Sequence, residues 1–358
     1  MTKLKEHKPS KMEALKAMTP ADRRRAIFDG IMNNAMFIII ALVIIYVAIK
    51  NPRFLSIPSL VNIISLTAAK LPIALGVGGC IILAGTDISA GRQVGLAACI
   101  SAGLQLTTNK LFPGLQIMPI PVVLLCVLVA CALVGFVNGF FMAKFKLHPF
   151  IVTLSTQLIV YGLVLLFMQL GTNGGQTLSG MSEGYRNFII KPLFTLKTSS
   201  GPVTVPRYVL YSAIITTLVW VIWNKTAFGK NMYAVGSNEE AANVSGVNVS
   251  KTIILVFVMA GMLYGITGFM DAARIASVNA TTGLNYEADA IAACVIGGIS
   301  FVGGIGKVSG AIIGVLLLQI IFAGLNFLSV DANYLYIVKG LIILIACSID
   351  MRKYLVRK

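Results

Sequence analysis

Long runs without Asp, Glu, Lys or Arg divide this chain: Gly30 to Ile49, Leu111 to Ala143, Pro149 to Ser182, Tyr208 to Asn224, Thr252 to Met270 and Val308 to Val330. About 20 residues of helix cross the hydrocarbon core of a bilayer, so each run can hold a span. The longest runs must also hold a loop, a tilt or a broken helix. The short alternating segments of a membrane β-barrel are missing. The pattern predicts an all-α, polytopic membrane protein with about ten transmembrane helices, some interrupted.

The expected spans begin near 31–49, with a short amphipathic piece after Pro58. Two spans follow between about 67 and 107, joined through Gly85-Thr86-Asp87-Ile88-Ser89-Ala90-Gly91-Arg92. Further spans lie near 120–142, 150–170, 207–223 and 253–273. Two segments divided by a glycine cluster come next, and a last span lies near 333–349. The stretches Leu75 to Leu96 and Ala293 to Gly314 each place a Gly-rich break and then a lone basic residue between apolar segments. This is a possible internal repeat of the kind that places transporter sites at the repeat interface.

Of 358 residues 57% are hydrophobic and only 12% charged, about half the charged share of an ordinary soluble domain. The net charge of +16 is not gathered on a soluble face with stacking aromatics, so nucleic acid is not expected as a partner. Eight basic residues fall in the first 30 positions, and Arg352, Lys353, Arg357 and Lys358 end the chain. Under the positive-inside rule both termini are expected in the cytoplasm. The expected organisation is a basic cytoplasmic tail over 1–30, one transmembrane domain over 31–350 and a basic cytoplasmic tail over 351–358. Within the domain, 171–206 forms an outer loop and 224–252 the longest cytoplasmic loop. Residues 1–30 lack the apolar core of a signal peptide. The six cysteines sit in apolar segments, without metal-ligand or disulfide spacing.

Interrupting a helix at membrane depth is tolerated only where protein or water lines the break, and ionisable residues there suggest function. Asp87, Ser89, Arg92, Gln93, Glu287 and Asp289 are therefore candidates for a substrate pathway. Asp87 and Ser89 could alternatively cap the following helix, with Arg92 neutralising the carboxylate. Lys339 lies within an apolar segment and needs a partner among Asp271, Glu287 and Asp289; Asp271 could instead pair with Arg274 at helical spacing. In the cytoplasmic loop, Ser237 and Glu240 have capping-box spacing, and Gly246 can end the short helix carrying Glu239, Glu240, Ala241 and Ala242. Such a helix suits docking into a partner's groove, or is merely solvated. No G-x-x-x-x-G-K-[ST] phosphate loop is present.

At these residues the chain resembles the permease subunits of bacterial ATP-binding-cassette importers for ribose, galactose and related monosaccharides. Gly85-Thr86-Asp87-Ile88-Ser89-Ala90-Gly91 is similar to the family's G-x-D-[LI]-S-x-G segment, and Glu240-Ala241-Ala242 with Gly246 to its E-A-A-x-x-x-G loop. Tyr286-Glu287 with Asp289-Ala290-Ile291-Ala292-Ala293 is similar to its Y-E-L-D-A-I-A-A segment, with Ala288 in place of the leucine. The stretch Gly91-Arg92-Gln93-Val94-Gly95-Leu96-Ala97-Ala98, Asn224-Lys225-Thr226 and Ser245-Gly246-Val247-Asn248-Val249 look closest to members for galactose and methyl galactoside.

The resemblance implies import of a monosaccharide by alternating access across the bacterial cytoplasmic membrane. It also implies a homodimer, a separate ATPase subunit docked on Ser237, Glu239, Glu240, Ala241, Ala242 and Gly246, and an extracytoplasmic sugar-binding protein. ATP and magnesium would sit on the ATPase, with no cofactor on this chain. A ribose permease and an ion-coupled secondary carrier are the alternatives, the latter kept open by Asp87, Asp271, Glu287 and Asp289. With His7 and His148 as the only histidines, no acid-base or metal constellation suggests an enzyme.

Overall fold

A computed structural model describes residue 19 and residues 35–112, 114–171, 173–198 and 201–355. The proposed N-terminal tail and the last three residues lie outside this description, apart from Thr19. The chain is built from helices: α1 Ala35–Lys50, α2 Ile57–Ile82, α3 Ala90–Gln105, α4 Ile120–Phe145, α5 Pro149–Met168, α6 Glu183–Ile190 and α7 Arg207–Lys225. There follow α8 Ala227–Ser237, α9 Glu239–Val244, α10 Val249–Ile275, α11 Tyr286–Ile296, α12 Val308–Phe327 and α13 Ala332–Leu355. Each of the ten expected membrane segments coincides with one of these.

Five of the described helices, α2, α4, α5, α10 and α12, are long and apolar enough to cross a membrane, and α7 with α8 makes a sixth candidate bent by 69°. The protein is a multi-pass membrane protein. Helices α3 and α11 are only 16 and 11 residues long, because each is one side of an interrupted segment. The amphipathic piece expected after Pro58 is not separate; it is the first turn of α2, capped by Ser56 Oγ accepting from the Ser59 amide.

The 171–206 region contains α6 and an antiparallel hairpin of β2 Pro192–Thr198 and β3 Gly201–Pro206. Before it, the two-residue β1 Leu178–Ser179 pairs with β4 Ser277–Val278. Helix α13 continues to Leu355, so residues 351–355 extend it rather than forming a separate tail.

Helix α10 lies at the centre, packed against α2, α3 and α4. Its contact with α4 depends on small residues, as expected where helices associate without a hydrophobic drive between them. A β-carbon on Gly135 would strike the Phe257 carbonyl, and one on Gly261 the Cys131 carbonyl. Hydroxyls inside the apolar helices are satisfied locally: Thr67, Ser101 and Thr267 donate to the carbonyl four residues earlier, at 2.7–3.0 Å. Gly135→Ala is expected to cost about 1–3 kcal/mol by forcing α4 from α10. Gly162→Ala, with open space at its β-carbon, should leave the thermal unfolding midpoint in detergent unchanged or raised.

Candidate functional site

Two interrupted segments meet inside the helical layer. After α2 the backbone closes with Gly85 N–H donating to Cys80 O at 3.0 Å and Ala84 N–H to Ile81 O at 2.8 Å, with Ala84 left-handed. After α11 the same pattern recurs: Ile299 N–H to Cys294 O and Gly298 N–H to Val295 O, both at 2.9 Å, with Gly298 left-handed. Both are Schellman closures, which satisfy carbonyls that a helix end leaves open. The matched sequence stretches thus have matched local structure. They also interlock, through Cys294 Sγ donating to Ala74 O at 3.1 Å and Gly304 N–H donating to Ile82 O at 2.8 Å.

The first break carries a polar cluster centred on Ser89. Asp87 is fully buried, and its Oδ1 accepts from the Ser89 amide at 3.0 Å and the Ser89 hydroxyl at 2.5 Å. Ser89 Oγ in turn accepts from Gln93 Nε2 and from Asn138 Nδ2 of α4, each at 3.0 Å. Asp87, Ser89, Gln93 and Asn138 have no exposed surface. This group ties α3 to α4.

The capping alternative holds only for Asp87, which accepts from the Ser89 amide at the head of α3. Ser89 is itself in helical conformation and makes no side-chain cap, and Arg92 bonds elsewhere. The Arg92 guanidinium donates to Ala280 O at 3.1 Å and lies 4.2 Å over the Tyr161 ring. Its neighbour is the segment 277–285 between α10 and α11, which descends against α3. A β-carbon on Gly91 would meet the Gly283 carbonyl and the Glu287 carboxylate, and one on Gly95 the Thr282 carbonyl. Arg92, Glu287 and the exposed Asn279 and Thr281 therefore share one half-open polar surface.

The remaining membrane charges form a chain across four helices. Fully buried Asp271 accepts from Arg274 Nε at 2.8 Å, and its second oxygen lies 3.6 Å from Lys70 Nζ of α2. Lys70 stands over the Tyr286 ring of α11. Lys339 of α13 meets Asp289 of α11 at 2.9 Å, and not Asp271 or Glu287. A small pocket lined by Lys70, Ala74, Tyr286, Asp289 and Gln319 lies between α2, α11 and α12. Sequence reasoning missed Asn138, Tyr161 and the pairing role of Lys70. The lone Asn in the apolar run of α4 was the legible sign of the first.

The short helix α9, which follows the end of α8, is capped differently than expected. Ser237 is the last residue of α8, its hydroxyl donating back to Tyr233 O at 2.9 Å, so it cannot cap α9. Asn238 has the extended backbone a cap requires, and its Oδ1 accepts from the Ala241 amide at 2.8 Å. Gly246, with φ of +84°, closes α9 by a third Schellman pair, Val247 N–H to Ala242 O and Gly246 N–H to Asn243 O, both at 3.0 Å.

Glu239, Glu240, Ala241 and Gly246 are exposed, Ala242 packs inward, and Val244 is an apolar side chain 90% exposed. Glu239 pairs with Lys146 at 3.1 Å on the surface. Tyr233 Oη donates to Gly306 O at 3.0 Å, and Gly236 abuts Ile82 O, so the α8 end is wedged against both breaks.

Comparison with known proteins adds to this geometry. The family model described as "Branched-chain amino acid transport system / permease component" matches residues 59–347. The galactose/methyl galactoside import permease protein MglC of Haemophilus influenzae is 42% identical over 334 residues, covering 92% of this chain and 97% of that protein. Its namesake in Escherichia coli K12 is 38% identical, covering 94% and 98%. The ribose import permease protein RbsC of Bacillus subtilis is 33% identical, covering 93% and 97%. No solved structure matches the chain.

Removing one member of a buried ion pair leaves its partner uncompensated, at about 3–5 kcal/mol. Asp271→Ala should lower the unfolding midpoint accordingly, and adding Lys70→Met should recover part of the loss. Strictly additive losses would show that the two charges are not coupled.

Proposed function

Because the chain belongs to the family of branched-chain amino acid transport permease components, we propose that it is the membrane-spanning subunit of an ATP-driven importer of galactose or methyl galactoside. The observation that carries this is the 42% identity, over nearly the whole of both chains, to a permease named for those sugars. The ribose reading rests on 33% identity to a ribose permease and stands second.

In this proposal two copies of the chain sit in the bacterial cytoplasmic membrane with both termini in the cytoplasm. They receive sugar from an extracytoplasmic binding protein, and a separate ATPase subunit binds ATP and magnesium. The exposed helix α9, with Glu239, Glu240 and the bare Val244, is the docking element for that ATPase. Ser237 serves at the hinge behind it, and Gly246 sets its end.

The candidate pathway residues take different roles. Asp87, Ser89 and Gln93 bond to one another and, through Asn138, hold α3 to α4, and Asp289 is engaged by Lys339. Arg92 and Glu287, half-buried beside Asn279, keep polar surface for a passing sugar. Such weak contact suffices when a binding protein supplies selectivity. Coupling then requires that ATP bind the two states of the assembly unequally.

The test is to reconstitute the chain with its ATPase and candidate binding proteins and measure ATP hydrolysis. Galactose is expected to stimulate it and ribose to do so weakly; stimulation by ribose alone would move the cargo. Uptake that persists without ATP while ion gradients are intact would return the ion-coupled carrier. Glu240→Lys and Gly246→Val are expected to leave membrane insertion unchanged and abolish galactose-stimulated hydrolysis. Normal stimulation in both would remove α9 from the coupling role.

A further inference from the structure

The hairpin of β2 and β3 has two unlike faces. Its register pairs Phe194 with Val205 and Leu196 with Val203, which puts these four apolar side chains on one face. Thr195 and Thr204, paired with each other, and Lys197 lie on the opposite face. Val205 is buried, but Phe194 is 50% and Leu196 40% exposed, and Leu193 and Phe188 beside them are exposed as well. A two-stranded hairpin presenting such a face is marginal in water.

The position of the hairpin says what covers it. β3 runs directly into α7 at Arg207, and Arg207 N–H donates to Lys191 O at 3.1 Å. Phe188 stacks on Tyr211 of the first turns of α7 at 5.2 Å, and the Tyr211 hydroxyl donates to Phe188 O at 3.0 Å. Phe188 thus adjoins the base of α7, along which Leu210, Ile214 and Leu218 form an exposed apolar stripe.

Charge points the same way. Arg186, Lys191 and Lys197 are exposed and Arg207 is half-exposed, and none is ion-paired among the described residues. Glu183 is the sole acid between 171 and 206. Aromatic rings backed by cations at the mouth of a spanning helix match the layer where acyl chains give way to headgroups.

We propose that the Pro192–Pro206 hairpin, with Phe188, is an interfacial anchor that lays Phe194 and Leu196 on the bilayer surface. Arg186 and Lys191, at the root of the hairpin, bind anionic phospholipid headgroups. This inference does not depend on the cargo.

The test places the full-length protein in lipid nanodiscs with Phe194→Trp as reporter in a Trp220→Phe background. Buried Trp223 then contributes the same baseline to every sample. Bromine-labelled phospholipid is expected to quench the Trp at position 194 and aqueous acrylamide to leave it shielded. Replacing phosphatidylcholine by phosphatidylglycerol should deepen the bromolipid quenching, and Arg186→Glu with Lys191→Glu should abolish that increment while the unfolding midpoint stays unchanged.

Quenching by acrylamide and not by bromolipid would overturn the proposal. So would shielding that develops only when a binding protein is added. Bromolipid quenching indifferent to headgroup charge would overturn the headgroup contact.

Discussion

A helix that stops inside an apolar layer must still satisfy its last carbonyls, and the architecture of this protein follows from how it does so. Two breaks, after Ile82 and after Ile296, use the same pair of closing hydrogen bonds and then lean on each other, the Gly304 amide reaching the Ile82 carbonyl. Close backbone approach makes this possible. Gly236, Gly303 and Gly304 lie where no β-carbon would fit without moving backbone or Ser237. The ends of α2, α11 and α8 therefore share one joint.

Polar side chains at this depth divide into two kinds. Around Ser89 the groups bond chiefly to one another, and Asp87, Gln93 and Asn138 each keep one oxygen without a hydrogen-bond partner. Such a network fixes an arrangement more than it offers a surface. The ion pairs of Lys70, Asp271 and Arg274 and of Lys339 and Asp289 do similar work between α2, α10, α11 and α13. Arg92 and Glu287, set against the 277–285 segment, retain open edges.

Much of this was legible in the sequence. Six uncharged runs located six of the helical segments, because hydrophobic length is what a bilayer demands, and apolar stretches carrying isolated charges located the others. The glycine-rich stretches located the breaks, and Gly246 the end of α9, because a left-handed residue is needed there. Partner choice was less legible. Arg92 faces Ala280 and not Asp87, and Lys339 selects Asp289 among three acids, since both choices depend on how distant segments cross. Ser237 lost the cap to Asn238 because local hydroxyl bonding kept it inside α8. The single asparagine of α4 could be seen, but not that Ser89 would be its partner.

The ion pair between Lys339 and Asp289 also bears on the order of assembly. Helix α11 is 11 residues long and begins with Tyr286, Glu287 and Asp289, too short and too acidic to settle in lipid by itself. Its counter-charge is on α13, 50 residues later in the chain. The half-helix is therefore sheltered by α2 and α12 but keeps an uncompensated carboxylate until α13 has packed beside it. Removing the chain from before Lys339 onward would strand that carboxylate in the interior, so α11 and α13 are secured together or not at all.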